Sequence, residues 1–157
     1  IGVDHSMPML EQAKERVAAA GLSGIDLRLG EMTHLPLPDR DVETALLNMV
    51  LHHAPHPSAV LAELARVLTP GGTLVIADLR RHEREWARER MADQWLGFEP
   101  QELLGWLAQA GFAAGPLVTL AGREGELEIL LVTAHLGGKI SHHRKGVSDE
   151  PCRAAQG

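Results

Sequence analysis

The chain has 157 residues, 45% of them hydrophobic and 23% charged, which is enough apolar material for one core of ordinary size. A formal net charge of −6 leaves no basic surface for a phosphate backbone, so nucleic acid is not an expected partner of this segment. The single cysteine, Cys152, excludes an internal disulfide and fits a reducing, cytoplasmic compartment, and the apolar runs fall far short of a membrane span.

The chain opens on Ile1-Gly2-Val3, which reads as the end of a buried strand, so an upstream part of the fold is expected before it. Asp4-His5-Ser6 then leads into a helix with Pro8 near its start, Leu10, Ala13 and Val17 at helical spacing, and Gly21 as its stop. Ile25, Leu27 and Leu29 alternate with polar partners as a half-buried strand does, ending at Gly30-Glu31. A Pro-rich turn, Pro36 to Asp41, precedes an apolar strand from Thr44 to Val50. Val60, Leu61, Leu64, Val67 and Leu68 give the stretch from Pro57 to Leu68 one apolar helical face. Thr69-Pro70-Gly71-Gly72 is expected to break that helix before a strand from Thr73 to Ala77.

Between Arg80 and Trp95 both charge signs are dense, and Ala87, Met91 and Trp95, four apart, predict one apolar helical stripe. A further helix begins near Pro100 and stops at Gly111. Leu117 to Leu120 and Leu127 to Val132 then form two strands whose short connection predicts an antiparallel hairpin. Residues 137–157 are polar and without periodicity, a tail expected to be poorly ordered, so residues 1–136 make the folded unit. Alternating strands and helices imply an α/β fold with a mostly parallel sheet and its ligand at the C-terminal strand ends. That layout does not name a reaction.

Gly2-Val3-Asp4-His5-Ser6, Leu35-Pro36-Leu37-Pro38, Asn48-Met49-Val50-Leu51-His52-His53 and Arg66 to Asp78 with Pro70-Gly71-Gly72 follow one another in an order and spacing that resembles class I S-adenosylmethionine-dependent methyltransferases acting on small molecules. The resemblance covers roughly residues 1 to 135. It implies a Rossmann-like seven-stranded sheet with its last strand antiparallel, here without the first strand and its glycine-rich cofactor turn, and S-adenosylmethionine as cofactor. The segment from Asp78 to Phe98 is most similar to methyltransferase halves of proteins that begin with an ArsR-type winged-helix regulator.

Asp4, between a strand and a helix, suits a carboxylate that accepts both ribose hydroxyls of a nucleoside, the favoured reading over a helix cap. The resemblance implies the ribose role, implies that Glu31 accepts from the adenine amino group beside the Met32 backbone, and places His5 and Asn48 around the cofactor, with Met7 a candidate cover for the adenine face and Asn48 otherwise a strand end. Glu31 reads otherwise as a solvated strand-end acid, Met7 as packing. His52 and His53 are candidate general bases near neutral pH, although each taken singly reads as a helix-start histidine, and methyl transfer rests mainly on alignment. With His56 they make three histidines within five residues, but no Cys or carboxylate has ligand spacing with them, and no metal is expected. Asp78, His82 and Trp86 are candidate substrate residues, on a stretch whose composition otherwise reads as solvated helix.

The leading expectation is therefore methyl transfer to a small-molecule acceptor that the residues do not identify. The alternative is a cofactor-sensing or effector-binding module of an ArsR-type regulator with little turnover. A quinone-pathway C-methyltransferase shares the Asp4 and Pro-Gly-Gly motifs but needs an apolar tunnel for a prenyl tail. Arsenite methylation needs thiolates to hold arsenic, and this chain has Met49 where such enzymes carry a cysteine, with Cys152 alone elsewhere.

Overall fold

The computed structural model describes residues 1–91, 93–122 and 127–137, without the side chains of Glu89 and Arg90. The expected tail lies outside these residues, apart from Gly137. In chain order the elements are β1 (Gly2–Asp4), α1 (Met7–Ala19), β2 (Leu27–Leu29), β3 (Val42–Asn48), a 3-10 turn (Leu51–His53), α2 (Pro57–Val67), β4 (Leu68–Leu79), α3 (Trp86–Met91), α4 (Pro100–Gln109), β5 (Phe112–Ala114), β6 (Val118–Leu120) and β7 (Ile129–Leu136).

Two sheets result. β1 and β2 pair in parallel, while β3, β4, β7 and β5 follow one another in the second sheet, where β6 also pairs with β7. β3 and β4 are parallel, and β7 runs antiparallel to β4, β5 and β6, so within this sheet β7 alone opposes the common direction. The α/β class, the mostly parallel sheet and the closing antiparallel hairpin all agree with the sequence expectation. β1 and β3 each use one edge for pairing, and both line a common cleft.

The core lies in the second sheet, where α2 buries Val60, Leu61, Leu64 and Val67, α4 buries Leu103 and Leu107, and β4 and β7 contribute Leu74, Ile76, Leu130 and Val132. From α1 only Leu10 is buried, outside that core. The first βαβ unit therefore owes its order mainly to its own contacts.

Three local expectations are corrected. The helix ends at Val67, where Leu68 turns extended ahead of Thr69-Pro70, so the Pro-Gly-Gly residues lie inside β4. A register shift between Val42 and Thr44 absorbs the extra residues, and Gly71, at φ 82°, takes a conformation that favours glycine. The expected stripe reaching Trp95 fails because α3 stops at Met91, which is 56% exposed. Trp95 instead belongs to an irregular segment, packed edge-on to Trp106 at 5.5 Å between ring centroids. The short strand β5, unforeseen, is extended by pairing with β7 rather than by its own residues Phe-Ala-Ala.

Candidate functional site

The ends of β1, β2 and β3 open onto one cleft of about 720 Å³, within the range of small-molecule pockets. Asp4, His5, Glu31, Met32, Asn48 and His53 line it. Positions separated by up to 49 residues in sequence thus share one cavity.

Asp4 closes β1, and its Oδ1 accepts the Ser6 N–H at 2.8 Å, tightening the turn into α1. Ser6 is the helix N-cap residue, so the carboxylate supports the turn without capping the helix itself. No donor among the described residues reaches its Oδ2, which leaves an acceptor for a ligand. His5 is 72% exposed by its side chain, with Nδ1 3.7 Å from Asp4 Oδ1. Met7, in the first turn of α1, is exposed and is not among the cleft-lining residues.

Glu31 is exposed at the mouth, just beyond β2, and its carbonyl accepts the His34 N–H at 2.9 Å, closing a tight turn. The following Leu35–Asp39 stretch is held by Arg66 of α2. Its guanidinium donates to the carbonyls of Leu35 and Leu37 and to Asp39, and it also pairs with Glu63. Glu63 in turn accepts the Leu35 N–H at 2.7 Å. Hydrogen bonding from Arg66 holds the Glu63 carboxyl below its usual pKa, against the opposing effect of burial, and the Arg66 guanidinium is shifted upward.

Past Asn48, Met49 takes a left-handed φ of 55° and donates its N–H to Ala77 at 2.8 Å, turning the chain from β3 into the Leu51–His53 turn. The two candidate bases then separate. His53 has a 39% exposed side chain and lines the cleft, whereas His52 is 3% exposed and does not. His52 Nδ1 donates to Asp78 Oδ1 at 2.7 Å, and Asp78 Oδ2 accepts the Leu51 N–H at 2.8 Å.

Asp78 is fully buried, so the structure removes it from the substrate candidates: both oxygens are engaged in holding the histidine turn to β4. His82 and Trp86 also do not line the cleft. His82 Nδ1 accepts the Arg84 N–H at 3.2 Å, its Nε2 is buried without a partner among the described residues, and burial lowers its pKa. Trp86 is 40% exposed at the start of α3.

One residue escapes the sequence reading altogether. Asp93, 5% exposed, places Oδ1 3.6 Å from His52 Nε2 and 3.5 Å from His53 Nδ1. It supplies the carboxylate that spacing along the chain did not offer, while His56, the exposed residue before α2, is not part of the group. No periodicity marks Asp93, because an irregular segment carries it to the histidines.

Comparison with known proteins bears on the fold that carries this cleft. Residues 1–76 match the family described as a methyltransferase domain. An arsenite methyltransferase of Halobacterium salinarum is 39% identical over 79 residues, covering 50% of this chain and 20% of that protein. A demethylmenaquinone methyltransferase of Listeria monocytogenes is 36% identical over 77 residues, covering 49% and 32%. The matched stretches thus span a third or less of these relatives' own length. The crystal structure of a SAM-dependent methyltransferase from Aquifex aeolicus superposes with a TM-score of 0.67 at 25% identity, covering 84% of this chain and 66% of that one. Residues 1–76 are thus similar to the methyltransferase-domain family, and the fold of the chain is that of the class I SAM-dependent methyltransferases.

Proposed function

We propose that this protein takes part in methyl transfer from S-adenosylmethionine to a small-molecule acceptor. The observation that carries the reading is the convergence of Asp4, Glu31 and Asn48 on one cleft at the C-terminal ends of three strands. Asp4 Oδ2 suits a ribose hydroxyl, and Glu31 at the mouth suits an exocyclic amine. These residues fit the adenosine half of the cofactor, while for its methionine end the described residues offer Asn48 and the turn at Met49. When bound, the cofactor supplies a methyl group on a sulfonium, already activated for displacement. The chain's own part is to align the acceptor and, at His53, to offer a half-exposed imidazole as proton acceptor.

The same cleft would serve a sensor. The similarity of Asp78 to Phe98 to the methyltransferase halves of ArsR-type regulators supports a second reading, in which the cleft binds cofactor or effector with little turnover. The net charge of −6 argues that this segment does not itself hold nucleic acid. No helix among the described residues is long and apolar enough to cross a membrane, and the single Cys152 supports placing the protein in the cytoplasm. One cysteine also argues against an acceptor held by several thiolates.

Titration calorimetry with S-adenosylmethionine tests the reading. The expected result is weak or undetectable binding to this chain alone and clear binding once a strand and glycine-rich turn are joined before Ile1. Methyl transfer to a panel of small acceptors then separates enzyme from sensor. Failure of the extended protein to bind would overturn both readings.

A further inference from the structure

We propose that His52, His53 and Asp93 form a binding site for one divalent transition ion of the Zn²⁺ and Co²⁺ class. One ligand atom of each residue lies within 4.8 Å of the other two, and His52 Nε2 and His53 Nδ1 stand 3.6 and 3.5 Å from Asp93 Oδ1. They are drawn from two segments about forty residues apart, and neither the family match over residues 1–76 nor the cleft contacts account for Asp93.

The hydrogen bonding leaves His52 Nε2 and Asp93 Oδ1 facing each other without a proton between them. His52 uses its Nδ1–H on Asp78, so in the neutral ring Nε2 carries a lone pair, and that lone pair points at a carboxylate oxygen 3.6 Å away. Asp93 Oδ1 is buried and has no hydrogen-bond partner among the described residues. Acceptors do not attract acceptors, and a buried carboxylate without a donor is costly. A cation between them resolves the conflict.

The distances fit that role better than they fit hydrogen bonds. The separations of 3.5 and 3.6 Å exceed the ordinary N–H···O range. Bonds of about 2.0–2.2 Å to a tetrahedral centre set neighbouring ligands roughly 3.4 Å apart. Two imidazoles and one carboxylate suit a borderline-soft ion such as Zn²⁺ rather than Mg²⁺, which prefers oxygen and water.

The site is also built from behind. The carboxylate of Asp78 fixes the ring and tautomer of His52, the outer support that histidine ligands commonly have. On the other side, the N–H groups of Gln94 and Trp95 both donate to the His52 carbonyl, at 3.1 and 3.0 Å. Trp95 Nε1 donates to the Ala54 carbonyl at 3.0 Å, pinning the residues that follow Asp93 onto the histidine turn. Three protein ligands leave a fourth position for water, and because His53 also lines the cleft, the ion would stand at the cleft wall, with His53 then serving as ligand in place of its role as free proton acceptor.

The test uses the full chain with His142, His143 and Cys152 replaced by alanine, so that no tail imidazole or thiol competes for metal. After chelator treatment, Zn²⁺ is titrated in competition with a chromophoric chelator, Mg²⁺ serves as control, and Co²⁺ provides a visible absorption band that reports geometry. One equivalent of Zn²⁺ with submicromolar affinity, no competition from Mg²⁺ and a tetrahedral Co²⁺ spectrum are expected. Asp93→Asn, which keeps the shape, and His53→Gln, at a half-exposed position, should each weaken Zn²⁺ by about 100-fold or more while the far-ultraviolet circular dichroism stays unchanged. Absence of stoichiometric Zn²⁺ binding by the parent, or binding by both variants within about threefold of it, would overturn the site.

Discussion

His52 Nδ1 and Asp78 Oδ1 lie 2.7 Å apart inside the protein, with 4% and 0% of their side chains exposed. The bond ties the turn after β3 to the end of β4 and fixes which histidine nitrogen faces Asp93. Asp78→Ala would leave the His52 ring N–H and the Leu51 N–H buried without an acceptor, at a cost of about 3 kcal/mol. Urea unfolding should show a lower midpoint with an unchanged slope, and Asp78→Asn should lose less. A midpoint equal to the parent's in the alanine variant would show that water replaces the carboxylate.

The Glu63 carboxyl should give stability a distinct acid dependence. Its folded pKa lies below the unfolded value, chiefly through the Arg66 hydrogen bond. Its contribution is therefore full above the ordinary carboxylate range of about 4.3 and is lost as pH falls through the folded value. Urea midpoints measured from pH 7 down to pH 3 should decline less steeply in Glu63→Gln than in the parent. Parallel curves would remove Glu63 from the acid response.

Two glycines should respond to alanine with opposite signs. Gly97 has φ 74°, and a Cβ there would run into the Arg80 carbonyl, where the chain bridges to Phe98. Gly97→Ala should cost about 2–3 kcal/mol. Gly105, within α4, has open space where its Cβ would stand, so Gly105→Ala should add about 1 kcal/mol through helix propensity. Thermal melts of the two variants should move in opposite directions.

In the chain extended by a strand and glycine-rich turn, Asp4→Ala should weaken S-adenosylmethionine by about 1–3 kcal/mol, as charge-assisted bonds to the ribose are lost. Glu31→Ala, at the exposed mouth, should cost only about 1 kcal/mol. Calorimetry on the two variants should rank them in that order. Equal losses would contradict the assignment of ribose to Asp4, and an unchanged Asp4 variant would leave that carboxylate a turn residue only.

The sequence by itself determined the order of every element except β5 and the Leu51–His53 turn, because strand and helix periodicities are local properties and the turn residues between them are explicit. It also marked Asp4, Glu31 and Asn48, each at a strand end where an α/β fold gathers its ligands. Even β7 was legible as half of a hairpin, since only a short connection separates it from β6. Tertiary structure decided what local pattern does not contain. β5 exists because β7 offers it an edge, and Trp95 leaves the helical stripe because hydrogen bonds to His52 and Ala54 hold its segment irregular. His52 and His53 look equivalent along the chain, yet burial against Asp78 takes one into the interior and leaves the other on the cleft. Asp93 joins them from forty residues away, for spacing in sequence cannot report a distance that packing alone sets.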